Sequence, residues 1–144
     1  MILSSCNKTI PPVTNQQISL KRTSYYFSNA GNDTNDGSIN HPFKTLSIIS
    51  ILRLNAGDSI LLKGNEVFND SIVLTANATT EKPITITSYG NGHAIINAGN
   101  GTSMSIYQSS FINVQNIICE GSGRKNGNTK PGLLISDCNN INIE

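Results

Sequence analysis

The sequence predicts an all-β fold, a parallel β-solenoid whose amino-terminal end is plugged by a short capping helix. Three observations carry that expectation. Short apolar alternations recur from Asp58 onward, they superimpose at shifts of about one solenoid repeat, and a run with apolar residues three apart precedes them. A length of 144 residues suffices for one domain with a core and not for two, so a single architecture must account for most of the chain.

Residues 1–23 read as a signal remnant and flexible linker. The start, MILSSCNK, resembles the end of a bacterial lipoprotein signal, with Leu3, Ser4 and Ser5 leading to Cys6 as the lipid-bearing residue. A complete signal carries basic residues and an apolar stretch before that point, so this reading takes the start as truncated; the alternative is a free Cys in a polar tail. On the first reading the protein works outside the cytoplasm, secreted or held as an outer-membrane lipoprotein. The following NKTIPPVTNQQISLKRT, with paired prolines and no sustained periodicity, is a linker.

The domain is expected over residues 24–144. Tyr25, Tyr26 and Phe27 form a preliminary strand, and the Asn, Asp and Gly residues of SNAGNDTNDGSIN turn the chain toward the helix. In PFKTLSIISILRLNAGD, Phe43, Leu46, Ile49 and Leu52 share one helical face, and Pro42 is tolerated in a first helical turn. The first coil of a solenoid exposes unpaired backbone and the ends of its apolar ladders, which such a helix covers.

The strands follow as DSILLKG, DSIVLTAN, KPITITSYGNG, HAIINAG, MSIYQSS, FINVQNIICEG and GLLISDCNNINIE, each alternating with period two and bounded by Gly or Asn. A shift of 22 carries Ile84 onto Ile106 and Ile95, Ile96 and Gly99 onto Ile117, Ile118 and Gly121. A shift of 29 carries Ile106, Ile112, Asn113 and Val114 onto Ile135, Ile141, Asn142 and Ile143, the extra residues falling within GSGRKNGNTKPG. A weaker shift of 24 places Ile60 and Leu62 over Ile84 and Ile86. Three to four coils result, with Ile and Val stacked inside and Asn and Gly at the corners. A β-sandwich is also built of short strands, but gives no reason for Ile to fall over Ile at a recurring shift. The chain stops at Glu144 within a coil and without a closing cap, which reads as a fragment of a longer protein.

Composition narrows the function. The net charge is +1, charged residues are 13%, and Lys and Arg never cluster beyond a pair, so the footprint of a nucleic-acid binder is missing. No apolar run approaches the roughly 18 residues that span a bilayer. Asn supplies about one residue in seven, favouring turns and strands over helices. Neither a Gly-rich phosphate loop nor a nucleophile elbow is present in the sequence.

The ordered set YYFSNAGNDTNDGSINHPFKTL, NAGDSILLKGNEVF and KPITITSYGNGHAIINAG resembles the amino-terminal part of bacterial right-handed parallel β-helix proteins of the pectate lyase superfamily, most of all the branch of the family 9 polysaccharide lyases. The resemblance is close from Tyr25 to about Gly99 and looser beyond. It implies a monomeric protein that grips acidic polysaccharide along the outside of its coils. It also implies a lyase in which calcium neutralises a uronate carboxylate while a Lys or Arg removes the adjacent proton, so that the glycosidic bond breaks by β-elimination. The family's base and acidic calcium cluster sit in later coils, so no catalytic residue and no cofactor is assignable in this chain. The same group includes glycoside hydrolases and proteins without activity, which leaves a hydrolase or a non-catalytic binding or structural solenoid as alternatives.

Two loops carry candidate site residues. In GNDTNDG, Asp33, Asn35 and Asp36 offer oxygen ligands to a metal, but the twelfth position counted from Asn32 is Phe43, which excludes an EF-hand; an Asx-rich turn supporting the cap is the other reading. In GSGRKNGNTKPG, Arg124, Lys125 and Lys130 combine positive charge with flexibility and suit a polyanion groove, against a merely solvated insertion. Glu120 and Asp137 are candidate carboxylates near that loop, or plain surface residues. His41 and His93 have no partner at ligand spacing and read as structural or exposed. Under the shift of 29, Cys138 falls on Ser109 rather than on Cys119, which predicts two free thiols.

Overall fold

A computed structural model describes residues 23–144; the readings placed on Cys6 and the linker lie outside the described residues. The elements run β1 (Ser24–Phe27), a 3-10 helix (Leu46–Ile51), β2 (Ser59–Lys63), β3 (Val67–Phe68), β4 (Ile72–Leu74), β5 (Ile84–Tyr89) and β6 (Ala94–Asn97). They continue with β7 (Met104–Tyr107), β8 (Ser110–Val114), β9 (Ile117–Glu120), a second 3-10 helix (Arg124–Asn126), β10 (Leu133–Ser136) and β11 (Asn139–Ile143). The strands form three parallel sheets, ordered β1-β2-β5-β8-β11, β3-β6-β9 and β4-β7-β10. From β2 onward the chain visits the three sheets in turn and returns to the first after every third strand.

Stacking in register turns the period-two pattern into continuous apolar columns. In the first sheet Ile60, Ile86 and Val114 form one column and Ile84 and Ile112 another; in the third, Ile72 lies beside Met104 and Leu74 beside Ile106. All of these side chains are buried, and with Phe27, Phe68 and Ile96 they make one core between the sheets. Burying one such side chain stabilises by about 1.5–3 kcal/mol, so the columns hold the circuits together more than any single turn does.

The registers correct two of the three expected shifts. The shift of 29 holds, pairing Ile106 with Ile135, Ile112 with Ile141, Asn113 with Asn142 and Val114 with Ile143. The shift of 22 does not: Ile84 pairs with Ile112, in another sheet from Ile106, and Ile95 and Ile96 pair with Ile118 and Cys119. The Ile-Ile doublets superimpose fully at 22 and only in part at the true 23, where Ile96 falls on Cys119, so residue identity favoured a register one residue off, and a one-residue slip exchanges inside for outside. Ile60 pairs with Ile86 rather than Ile84, an error of two residues that leaves each side chain on its correct face. FINVQNIICEG and GLLISDCNNINIE are each two strands, broken by Asn116 and Asp137 with φ of 55° apiece, and the two-residue β3 was not foreseen.

The amino-terminal helix is a 3-10 helix, and the spacing explains why. Phe43, Leu46, Ile49 and Leu52 recur every third residue, the period of a 3-10 rather than an α-helix. Leu46 and Ile49 are buried in the core, Phe43 joins them beside Phe27 at a ring separation of 5.4 Å, and Leu52 packs at the margin. Pro42 lies before the helix, in an extended segment where Phe43 bridges Phe27 and its N–H donates to the Tyr26 carbonyl at 2.9 Å. Gly31 permits this closeness, because a β-carbon there would stand 2.4 Å from the Pro42 carbonyl oxygen.

Asp33 closes the turn. Its Oδ1 accepts the N–H groups of Lys44 and Thr45 at 2.9 and 2.8 Å, and its Oδ2 accepts the Thr45 hydroxyl at 2.8 Å. Burial raises the affinity of this carboxyl for a proton, but the bonds from Thr45 and Lys44 and the Lys44 charge outweigh it and hold the pKa below its ordinary value. A depressed carboxylate stabilises the fold above its unfolded pKa, and that contribution disappears as pH falls through the folded value. Asp33→Ala is therefore expected to cost about 1 kcal/mol in urea denaturation at pH 7. The difference from the parent chain should shrink below about pH 4; a gap that persists in acid would mean that the carboxylate charge is not the cause.

Candidate functional site

The corner between the second and third sheets is built from three loops stacked on successive circuits: Asn69–Ser71, Ala98–Ser103 and Gly121–Gly132. The last is twice as long as the one before it, which locates the expected insertion. Register sets the base of the corner. Asn97 pairs with Glu120, and the β3–β6 register carried one residue on places Asn69 beside Asn97.

Hydrogen bonds tie the loops together. The Gly99 carbonyl accepts from the Ser122 N–H at 2.9 Å and from Asn128 Nδ2 at 3.3 Å, while the Ser103 carbonyl accepts the Ile72 N–H at 2.9 Å. Ser122 Oγ donates to Asn100 Oδ1. Asp70 is held on both oxygens, Oδ1 by the Ser71 N–H at 2.7 Å and Oδ2 by the Ser47 N–H at 3.1 Å, so the first loop is fixed to the capping helix.

Two concavities open on this corner. One of about 460 Å³ lies between the first two loops and is lined by Asn69, Asp70, Asn97 and Thr102. The other, about 660 Å³, lies within the long loop and is lined by Arg124, Asn128, Thr129 and Lys130. Arg124 and Lys125 lie on the second 3-10 helix, entered through Gly123 and left through Gly127, with φ of 77° and 85°. All three cations are exposed and belong to one loop, and Arg124 and Lys130 line its concavity, which gives that concavity a positive rim. With strands about 4.8 Å apart, three stacked loops span about 10 Å, the length of roughly two sugar rings.

The other candidates fall elsewhere. Glu120 reaches this corner, whereas Asp137 sits at the turn from β10 to β11, its Oδ2 accepting from Ser136 Oγ at 3.1 Å. Asp33 faces the start of the helix, Asn35 Nδ2 donates to the Pro42 carbonyl at 2.8 Å, and Asp36 Oδ1 accepts the Ser38 N–H at 2.9 Å. Calcium would compete with those turn bonds, so the three residues fit a structural turn better than a cation site. Among the described residues no group of three or more His, Cys, Asp or Glu side chains is placed to hold a metal. His41 and His93 are exposed, in turns. Cys119 and Cys138 are free thiols, and Cys138 takes the corner position of Ser109: each donates to the carbonyl two residues before it.

Asn69, Asp70 and Asn97 were not singled out in the sequence. Each reads as a turn residue, and only the register of β3 on β6 brings the first loop under the second. Val67 and Phe68 give too short an apolar segment to reveal that register alone.

No protein-family model matches the chain, and no curated protein sequence matches it. Among solved structures it is similar to a GH136 lacto-N-biosidase from Eubacterium ramulus, with 25% identity and a TM-score of 0.66 over 83% of this chain and 26% of that one. It is also similar in fold to a rhamnogalacturonan lyase, with 19% identity and a TM-score of 0.53 over 66% of this chain and 28% of that one. The chain spans about a quarter of the length of each. Among the described residues no helix is long and apolar enough to cross a membrane.

Proposed function

We propose that the chain forms the cap and first coils of a right-handed parallel β-helix that holds acidic polysaccharide along the stacked corner, within an exported lyase acting by β-elimination. The observation that carries this reading is that Arg124 and Lys130 line one concavity of a corner whose stacked loops form a second, lined by Asn97, Asn69 and Thr102, with Lys125 exposed on the same long loop. The likeness to two carbohydrate-processing enzymes supports a sugar ligand. The cations favour its acidic form, because carboxylates spaced along a chain meet them without burial of either charge. In this reading the corner positions substrate, and the base and any calcium site belong to other coils of the whole protein. Glycoside hydrolysis is the second reading, favoured by the likeness to the lacto-N-biosidase over most of this chain.

The test is binding of polygalacturonate, measured by affinity electrophoresis at low and high salt. Replacing Arg124, Lys125 and Lys130 together by Ala should weaken binding about tenfold at low salt, and the difference should fade as salt screens exposed charges. Equal binding by the parent and the triple variant would overturn the assignment of the corner.

A further inference from the structure

The outer face of the first sheet carries a second strip of chemistry that the corner does not use. The register of β5, β8 and β11 sets two columns side by side across successive circuits. Ile84, Ile112 and Ile141 are aligned, so Pro83, Phe111 and Asn140 just before them line up, and Asn113 pairs with Asn142 just after them. With Thr80 these residues line a groove of about 360 Å³, and none of its lining residues is charged.

Phe111 is the anomaly. Its φ is 55°, in the left-handed region that disfavours bulky side chains, and Asn140 beside it has φ of 53°. Asn tolerates that conformation, so the backbone kink alone gives no reason for Phe. Nor does packing: Phe111 is half-buried and lies outside the hydrophobic core. Strain retained without a packing return marks a residue selected for what it touches. Beside it, the side-chain amides of Asn113 and Asn140 make no hydrogen bond to the described residues. Each amide both donates and accepts, which matches the hydroxyl groups of a sugar.

We propose that this groove binds a neutral pyranose ring, stacked by its apolar face on Phe111 and Pro83 and hydrogen-bonded through its hydroxyls to Asn113 and Asn140. An uncharged, hydroxyl-rich ligand with one flat C–H face satisfies all three features; a uronate finds no cation among the lining residues. This site is separate from the corner and goes beyond the acidic ligand proposed there.

Phe111→Asn tests it, because that change installs the residue that the next circuit already carries at the same position. Titration calorimetry would use neutral β-1,4-linked glucose and galactose hexasaccharides as probes. The 144-residue chain should bind at least one of them, Phe111→Asn should weaken that binding about tenfold, and thermal stability should not fall. Should the variant misfold, the double variant Asn113→Ala, Asn140→Ala keeps the aromatic ring and should weaken binding about fivefold. Replacing Arg124, Lys125 and Lys130 by Ala should leave the neutral ligands unaffected, which separates failure here from failure at the corner. Absence of binding by the parent chain up to about 10 mM of either hexasaccharide, or undiminished binding by a folded Phe111 variant, overturns the proposal.

Discussion

Ile112→Ala is expected to lower the free energy of unfolding by about 2–5 kcal/mol, a large part of the roughly 5–15 kcal/mol that stabilises a domain. Ile112 is fully buried and stands in the first sheet between Ile84 and Ile141, so the lost atoms leave a gap in the middle of a column rather than at its end. Strands on either side are fixed by their own ladders, which limits collapse around the cavity. Ile118 supplies the contrast. It belongs to an equally apolar stretch but is 43% exposed, and Ile118→Ala should change stability by no more than about 0.5 kcal/mol. Urea denaturation of both variants with unchanged slopes checks the pair; similar losses at the two positions would contradict the inside-outside assignment that the register makes.

That contrast also shows what was legible in the sequence. The shift of 29 was readable because it aligned an Ile-Asn-Val segment with an Ile-Asn-Ile segment, where a polar residue between two apolar ones admits one register. The Ile-Ile doublets at Ile95 and Ile117 lacked such a marker, and the shift chosen for them was one residue short. The cap was visible through its three-residue spacing, although its 3-10 character followed only from taking that spacing literally. For the candidate site, the cations of the long loop stood out as charge in a polar segment. Asn69, Asp70 and Asn97 did not, since their proximity is a property of the stacking and each alone is an ordinary turn residue. The same holds for Phe111: the letters FINV read as a strand, and neither its left-handed φ nor the neighbouring Asn140 is implied by them. What alternation encodes is the face a side chain occupies; what brings distant corners together is circuit length, which varies from one sheet to the next.

Gly64→Ala is expected to destabilise the domain by about 1–3 kcal/mol or more, although it adds a single methyl group. Gly64 follows β2 directly, where the chain passes against the turn between β5 and β6. A β-carbon at this position would lie 2.3 Å from the Asn91 carbonyl oxygen and 2.5 Å from that of Gly92. Both obstacles are backbone, so no rotamer change relieves them, and one circuit must move away from the other. Moving it strains two bonds that join the circuits, from the Gly64 N–H to the Tyr89 carbonyl at 2.9 Å and from the Asn65 N–H to the His93 carbonyl at 3.0 Å. Gly90 is the control, because a β-carbon there meets nothing within 4 Å and its φ of 76° leaves only conformational strain. Gly90→Ala should therefore cost about 1–2 kcal/mol through that strain alone. Hydrogen exchange distinguishes the two mechanisms: Gly64→Ala should deprotect the amides of residues 64 and 65, whereas Gly90→Ala should lower stability while leaving them protected relative to their neighbours. Unchanged protection at Gly64→Ala would show that the close approach of the two circuits does not limit stability.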